Sequence, residues 1–208
     1  MGLPLFDRLN TAAGLSFLLG GSLFAAGAAM AQRGVESLVT VNVTYLVGGF
    51  FFSLGGYLSI RLAAPGQRAW RSAVVLFVGT LLFAVSLVAA FAVGITPRQS
   101  NGWIWLPDIL GCVSFLASGH LAMLEVGGGR VRLLPHALDW WVAAINQLGS
   151  VLFFFAGVAA FTRPATSVEL AAALVNSGTF GGALCFALAG AIQVFSPPTT
   201  KAPLQVQS

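Results

Sequence analysis

Residues 140–162 read WWVAAINQLGSVLFFFAGVAAFT, a stretch without a single Asp, Glu, Lys or Arg that decides how this chain folds. A run of about 20 apolar residues is long enough to cross the hydrocarbon core of a bilayer as an α-helix. Five further apolar stretches occur at 11–31, 39–61, 71–95, 104–124 and 169–194. The sequence therefore predicts an all-α, polytopic membrane protein, a six-helix transmembrane bundle built from three tandem helical hairpins.

The composition supports a membrane location. Of the 208 residues, 57% are hydrophobic and only 8% are charged, whereas a soluble domain carries about 25% charged residues to keep its surface wetted. The lipid bilayer is therefore the expected partner of most of the surface. Although the net charge is +4, the ten Lys and Arg residues are scattered over the connections, and no basic helix face that would bind nucleic acid occurs.

The predicted spans define one domain and its orientation. Residues 1–195 form a single transmembrane domain, and the polar, proline-containing residues 196–208 are predicted to be a disordered cytoplasmic tail. Of the Lys and Arg residues, seven fall on the side of the two termini and three on the other side. Because positive charge marks the cytoplasmic side, we expect a multi-pass protein with both termini in the cytoplasm.

A repeat runs through all six predicted spans. Each contains a glycine, a phenylalanine four residues later and a small residue seven residues later, and these offsets lie on one face of a helix. The glycines are Gly20, Gly48, Gly79, Gly111, Gly149 and Gly182. Small residues let membrane helices approach closely, so we expect packing seams in which phenylalanine fills the space beside the glycines of neighbouring helices. A pore or ligand cleft lined by glycine is the alternative.

The fifth span resembles a known bacterial family. Its run Asn146-Gln147-Leu148-Gly149-Ser150-Val151-Leu152-Phe153, preceded by Trp140-Trp141, is similar to the YrhK-like membrane hairpins, as is Gly21-Ser22-Leu23-Phe24 in the first span. The resemblance covers spans 1, 5 and 6, whereas spans 3 and 4 depart from it. It implies a helical hairpin protein of the bacterial cytoplasmic (inner) membrane. No activity is assigned to that family, so the resemblance implies no catalytic residues.

Two ionisable residues are predicted to lie at membrane depth, where such groups are costly and often functional. Asp108 follows Pro107 near the outer end of the fourth span, and His120 lies about 18 Å further along the helix. The structural alternative for Asp108 is a helix N-terminal residue at the interface. For His120 it is a buried neutral side chain bonded to a backbone carbonyl or to a serine such as Ser118 or Ser86.

Further polar residues share the seam face. The position three before the glycine is polar in four spans, and two asparagines lie one turn earlier in their own helices. In chain order these residues are Asn42, Tyr45, Asp108, Asn146, Asn176 and Thr179. Hydrogen bonds between membrane helices contribute about 0.6–2 kcal/mol, so the set is interpreted as glue between helices. The alternative is that the side chains converge on a small polar cavity.

The sequence favours a protein without enzymatic activity. It contains no Ser/His/Asp set, zinc-protease motif, phosphate-binding loop or paired carboxylates in a usable place. Cys112 and Cys185 lie in apolar runs without metal-ligand spacing, so no metal or cofactor is predicted. We therefore expect a structural or accessory membrane protein, as a homo-oligomer or in a larger membrane complex. The alternative is a small transporter or channel that uses Asp108 and His120.

Overall fold

The computed structural model describes residues 5–34 and 37–195, and within them the chain is a bundle of long helices. Six helical segments in these ranges are long and apolar enough to cross a membrane, which confirms the predicted all-α transmembrane fold. The helices are α1 (Leu5–Arg33), α2 (Leu38–Leu62), α3 (Arg68–Ala89), α4 (Pro97–Ser100), α5 (Leu106–Val126), α6 (Leu138–Ala159) and α7 (Ala172–Phe195). The predicted tail, 196–208, lies outside the described residues.

The order of the helices along the chain is also their order around the bundle. α1 packs against α2, α3 against α5, and α6 against α7, so the spans form three hairpins. Neighbouring hairpins meet through α2 and α3, through α5 and α6, and through α7 and α1, which closes a ring. Three hairpins in a closed ring have a threefold-like arrangement, one of the possibilities that the sequence leaves open.

Successive helices run in opposite directions, so the bundle has two distinct ends. We call the end at which α1 begins and α7 ends the terminal end. The connections 63–67 and 127–137 lie there as well, because each joins the end of a returning helix to the start of the next hairpin. The opposite, distal end carries the connections between α3 and α5 and between α6 and α7.

The bundle turns large apolar side chains outward and small residues inward. Phe50, Leu148 and Phe155 are more than half exposed, as expected for side chains that contact lipid. The six repeat glycines and the phenylalanines that follow them are all buried. The face with the repeat therefore points to the inside of the bundle, where small residues allow close packing of the helices.

The fourth span differs from its predicted bounds of 104–124. The helical path begins at Pro97, passes through a π-helical turn at Asn101–Trp105 and continues as α5. The free helix N-terminus lies at Thr96, whose Oγ1 accepts a hydrogen bond from the backbone N–H of Gln99. Asp108 therefore lies inside a continuous helical segment, directly after a π turn, and its interpretation as a helix N-terminal residue at the interface is wrong. Such π turns occur frequently at functional sites.

The third and sixth spans also end and begin differently at the distal end. α3 ends at Ala89, not at 95, and the chain then turns through Gly94, whose φ of 73° lies in the left-handed region. α7 begins at Ala172, not at 169, because the chain first forms a short antiparallel hairpin of β1 (Thr162–Arg163) and β2 (Val168–Glu169). Proline at 164 follows β1 directly and does not continue a helix.

The β-hairpin is tied to the π-helical turn. The side-chain N–H of Asn101 donates to the carbonyl oxygen of Thr162 at 2.7 Å, and the backbone N–H of Thr162 donates to Oδ1 of Asn101 at 3.0 Å. These two reciprocal bonds join the connection before α5 to the connection before α7. They hold the β-hairpin over the distal end of the bundle.

Candidate functional site

Within each hairpin the repeat glycines face each other across the two helices. The three pairs are Gly20/Gly48, Gly79/Gly111 and Gly149/Gly182. A Cβ atom added at Gly149 would lie 2.9 Å from the carbonyl oxygen of Gly182, and one at Gly182 would lie 2.9 Å from that of Gly149. Each glycine also lies under the phenylalanine ring of its partner helix. A larger side chain at these positions would push the two helices apart.

The repeat phenylalanines meet inside the bundle and fill its middle. They are Phe24, Phe52, Phe83, Phe115, Phe153 and Phe186, which we call the phenylalanine plug. Within a hairpin the two ring centroids lie 5.0–5.4 Å apart. Phe52, Phe115 and Phe186 form one layer with centroid distances of 5.3–6.2 Å. The other three form a second layer, in which Phe153 lies 6.3 Å from each of the other two rings.

The phenylalanine plug separates two cavities. The terminal cavity, of about 360 Å³, extends from the helix ends at Ala63 and Val126 to Phe115 and Phe186 of the plug. The distal cavity, of about 340 Å³, ends at the second layer of the plug. All six membrane spans contribute to the lining of each cavity, so both lie inside the ring. The void within the plug is only about 10 Å³, about enough for one water molecule.

The polar residues of the seam face divide between these cavities. Because successive helices are antiparallel, the position three before the glycine lies toward the terminal end in α1, α3 and α6 and toward the distal end in the other three. Tyr45, Asp108 and Thr179 therefore line the distal cavity, together with Asn42 and Asn176. The polar residues of three different helices thus converge on one cavity.

The sixth polar residue, Asn146, lines the terminal cavity instead. Its Oδ1 is buried and has no hydrogen-bond partner among the described residues. The carboxyls in this lining belong to Glu125 and Asp139. Glu125 lies 3.8 Å from a guanidinium nitrogen of Arg68, and both side chains are about 40% exposed. The charges of the terminal cavity thus lie near its mouth, in contact with water.

His120 is not brought together with Asp108. Its side chain is exposed on the outside of the bundle, and it does not belong to the lining of either described cavity. The twelve residues between the two are about three and a third helical turns, which places them about 120° apart around α5. The interpretation of His120 as a buried side chain bonded to a backbone carbonyl or to a serine such as Ser118 or Ser86 is wrong, because His120 is exposed.

Asp108 supplies a carboxyl to the distal cavity. The residue is half-buried and belongs to the lining of the cavity. The donor near it among the described residues is the Cys112 thiol, whose Sγ lies 4.0 Å from Oδ2. That thiol is closer to the carbonyl oxygen of Phe153, at 3.2 Å. No Lys, Arg or His in the described ranges lines this cavity, so the carboxyl faces the cavity without a basic partner.

Trp105 and Glu169 also line the distal cavity and were missed by the sequence analysis. Trp105 Nε1 donates to the carbonyl oxygen of Gly157 at 2.9 Å, which holds the indole in the cavity wall. Glu169 lies on β2, where burial raises the pKa of its carboxyl above the ordinary value. Both belong to short irregular segments, a π turn and a two-residue strand, that have no periodic pattern in the sequence.

The two cavities carry polar side chains suited to binding a solute, and the phenylalanine plug between them forms a barrier. Each offers carboxyl groups to a solute, and the plug offers only apolar rings. Among the described residues, no group of three or more His, Cys, Asp or Glu side chains is placed to hold a metal ion. No family model, no curated protein and no solved structure matches this chain. Its function is therefore inferred from the sequence and the geometry.

Proposed function

We propose that this protein is a small transporter or channel for cationic solutes. The observation that carries the proposal is the succession of distal cavity, phenylalanine plug and terminal cavity inside a ring of six membrane-spanning helices. A solute that entered one cavity would need to pass only two layers of rings to reach the other. Hydrophobic constrictions of this kind act as gates in membrane pores. Internal repetition, such as that of the three hairpins, is also common among transporters.

The charges of the cavities support cations as the solutes. Asp108 and Glu169 line the distal cavity, and Glu125 and Asp139 line the terminal cavity. In the described part of the chain, neither lining includes a basic side chain. Acidic side chains along a pathway favour cations and disfavour anions. We therefore assign cations to both cavities.

We further propose that the chain lies in a bacterial inner membrane with both termini in the cytoplasm. The distribution of Lys and Arg supports this orientation, and the similarity of spans 1, 5 and 6 to YrhK-like hairpins supports the location. The terminal cavity would then open toward the cytoplasm and the distal cavity toward the outside. Self-association or assembly with other membrane proteins is compatible with this orientation.

A non-enzymatic structural or accessory role is the second candidate. It is supported by the phenylalanine plug, because the middle of the bundle is packed and apolar. A protein that only supports a complex needs no pathway through its centre. The two candidates differ in whether removal of part of the plug lets a solute through.

Truncation of one plug ring tests the proposal. Phe52 is 3% exposed and packs against three other plug rings, whereas Phe50 of the same helix is 65% exposed toward lipid. In liposomes that contain the protein, we expect Phe52→Ala to raise tetramethylammonium flux at least about tenfold, a barrier lowered by about 1.4 kcal/mol. The matched control Phe50→Ala should leave the flux unchanged, and neither variant should pass iodide. If both variants fold and neither passes any cation, the accessory role is favoured and the proposal fails.

A further inference from the structure

The distal cavity has the composition of a binding site for an organic cation. We propose that it binds a small organic ammonium ion that carries an apolar or aromatic group, with the Asp108 carboxylate as its counter-ion. This inference deepens the proposed function and rests on it for the passage of the ligand through the bundle. The binding step, however, is measurable without any flux.

Asp108 supplies the charge that the site needs. The residue is half-buried, lines the cavity and has only the weak Cys112 thiol, at 4.0 Å, as a nearby donor among the described residues. A carboxylate that leaves water without a cationic partner costs several kcal/mol. An ammonium ion in the cavity would offset this cost, whereas an anion would increase it.

Aromatic rings form part of the remaining wall. The rings that line the cavity are Phe24, Tyr45, Phe83, Trp105 and Phe153. Tyr45 packs edge-on against Phe24 with centroids 5.1 Å apart, and the Trp105 indole is held by its bond to Gly157. The faces of aromatic rings attract ammonium groups, and cages of such rings recognise alkylated ammonium ions. Because the rings are already fixed, ordering them on binding costs little entropy.

Amide oxygens complete the site for an N–H donor. The Asn42 side-chain N–H donates to the carbonyl oxygen of Ala90 at 2.9 Å, which leaves its Oδ1 free to accept. Asn176 and Thr179 add further oxygens to the same lining. A carboxylate with several neutral acceptors matches the three N–H groups of a primary ammonium ion.

The size of the cavity also favours an organic ligand over a bare metal ion. A volume of about 340 Å³ lies at the lower end of the range of about 300–1,000 Å³ for ligand pockets. It suits an amine with one ring and greatly exceeds the space of an inorganic ion. The described residues also lack a cluster of three His, Cys, Asp or Glu ligands.

Calorimetric titration of the full chain in detergent micelles tests the site. The probe is benzylammonium, and benzyl alcohol is its neutral analogue of similar size. We expect Asp108→Asn to weaken benzylammonium binding at least about thirty-fold, as expected when one partner of a buried charge pair is removed. Asp7→Asn, which changes a carboxyl outside the lining of both described cavities, should leave the affinity unchanged.

A second variant keeps the proposal testable if Asp108→Asn does not fold. Tyr45→Leu retains the carboxyl and removes one ring of the wall, and we expect severalfold weaker binding of benzylammonium with no gain for benzyl alcohol. Equal affinity of the two probes for the wild type, or of benzylammonium for the wild type and Asp108→Asn, overturns the inference. Binding that depends on Asp108 but is accompanied by no cation flux contradicts the proposed function and leaves the site standing. Cation flux that does not depend on Asp108 contradicts the inferred site and leaves the proposed function standing.

Discussion

Two kinds of contact join the membrane-spanning helices of this bundle. One occurs at the interface of α1 with α7, and the other occurs at the two boundaries of the α3–α5 hairpin, with α2 and with α6. At the first interface, backbone packs on backbone. A Cβ added at Gly21 would lie 2.6 Å from both the carbonyl oxygen of Ala183 and the amide nitrogen of Ala187. One added at Gly190 would lie 2.6 Å from the carbonyl oxygen of Gly14. This interface therefore tolerates little displacement.

At the boundaries of the α3–α5 hairpin the contacts are made mainly by side chains, although a Cβ at Gly56 would lie 3.3 Å from the Cα of Phe77. Toward α2, Gly49 meets the end of the Leu87 side chain, and toward α6, Gly157 meets the side chains of Cys112 and Asp108. The fourth span is also less enclosed than α1: 22% of its apolar window is buried, against 56% for that of α1. The boundaries of the hairpin are therefore the looser ones of the ring.

If the plug opens as the proposed function requires, this difference indicates which part of the bundle would move. Side chains change rotamer at low cost, whereas two backbones in contact slide only if the helices separate. We expect α1, α2, α6 and α7 to act as one rigid unit and the α3–α5 hairpin to move against it. That hairpin carries Asp108 and two rings of the plug, Phe83 and Phe115. Its movement would couple the distal cavity to the gate.

The largest expected effect comes from locking the looser boundary. A Cβ at Gly56 of α2 would lie 3.5 Å from the Cβ of Phe77 of α3, at the short end of the range of about 3.5–4.5 Å for disulfides. In a background with Cys112→Ala and Cys185→Ala, we expect Gly56→Cys with Phe77→Cys to lose its cation flux on oxidation and to regain it on reduction. Flux in oxidised and reduced liposomes measures this.

A cross-link at the tight interface is the control for that experiment. Gln193 Nε2 donates to Oδ1 of Asn10 at 3.0 Å across α1 and α7, so cysteines at these positions lie within reach of a short thiol-reactive cross-linker. Both residues line the terminal cavity, and we expect this link to reduce flux less than the α2–α3 link does. If it stops flux as completely as the α2–α3 link, the assignment of the moving hairpin is wrong.

A smaller effect is expected from adding one methyl group at each kind of interface. Gly21→Ala places its Cβ 2.6 Å from backbone atoms, and Gly49→Ala places its Cβ 2.6 Å from the end of the Leu87 side chain. We expect Gly21→Ala to lower the free energy of unfolding by about 3 kcal/mol, because the backbones must separate. Gly49→Ala should change it by less than about 1 kcal/mol, since Leu87 swings away and alanine favours the helix.

Reversible unfolding in mixed detergent micelles measures both glycine variants under the same conditions. Equal losses of stability in Gly21→Ala and Gly49→Ala would remove the distinction between the tight interface and the looser boundary. A loss in both that is accompanied by altered oligomeric state would instead place these glycines at contacts between copies of the chain.

The smallest effect is expected for the contacts between α3 and α5 inside the α3–α5 hairpin. The Ser72 hydroxyl donates to the carbonyl oxygen of Ser118 at 2.8 Å, and the Ser118 hydroxyl donates back to that of Ser72 at 2.9 Å. We expect Ser72→Ala to destabilise the protein by about 1 kcal/mol and to leave flux unchanged, since α3 and α5 move together. Ser114→Ala, whose hydroxyl bonds within its own helix, should change neither. A large change in flux for Ser72→Ala would show that α3 and α5 move relative to each other.

Much of the fold was predictable because the features that define it are periodic. The six apolar runs predict the six spans, and the spacing of glycine and phenylalanine predicts which face of each helix points inward. The π turn at Asn101–Trp105 and the strand at Val168–Glu169 were not predicted, since neither is long enough to show a period. Trp105 and Glu169 were missed for this reason.

The candidate site was predictable only in part. The seam face already contains Asn42, Tyr45, Asp108, Asn176 and Thr179, but their common location depends on the alternating direction of the helices. His120 was grouped with Asp108 because both are ionisable and lie in one span. Their separation by about 120° around the helix places Asp108 at a cavity inside the bundle and His120 on the exposed outer surface.

By itself, the sequence determined that this is a multi-pass membrane protein, how many membrane-spanning helices it has and which face of each helix is packed. Hydrophobicity and helical period are local properties, so they act before any two helices meet. Only the tertiary structure decided that the repeat phenylalanines form one plug, that the cavities lie on both sides of it and that Asp108 lines one of them without a basic partner among the described residues. Those facts depend on how the ring closes and on which helices run antiparallel, and they involve residues that are far apart in the chain.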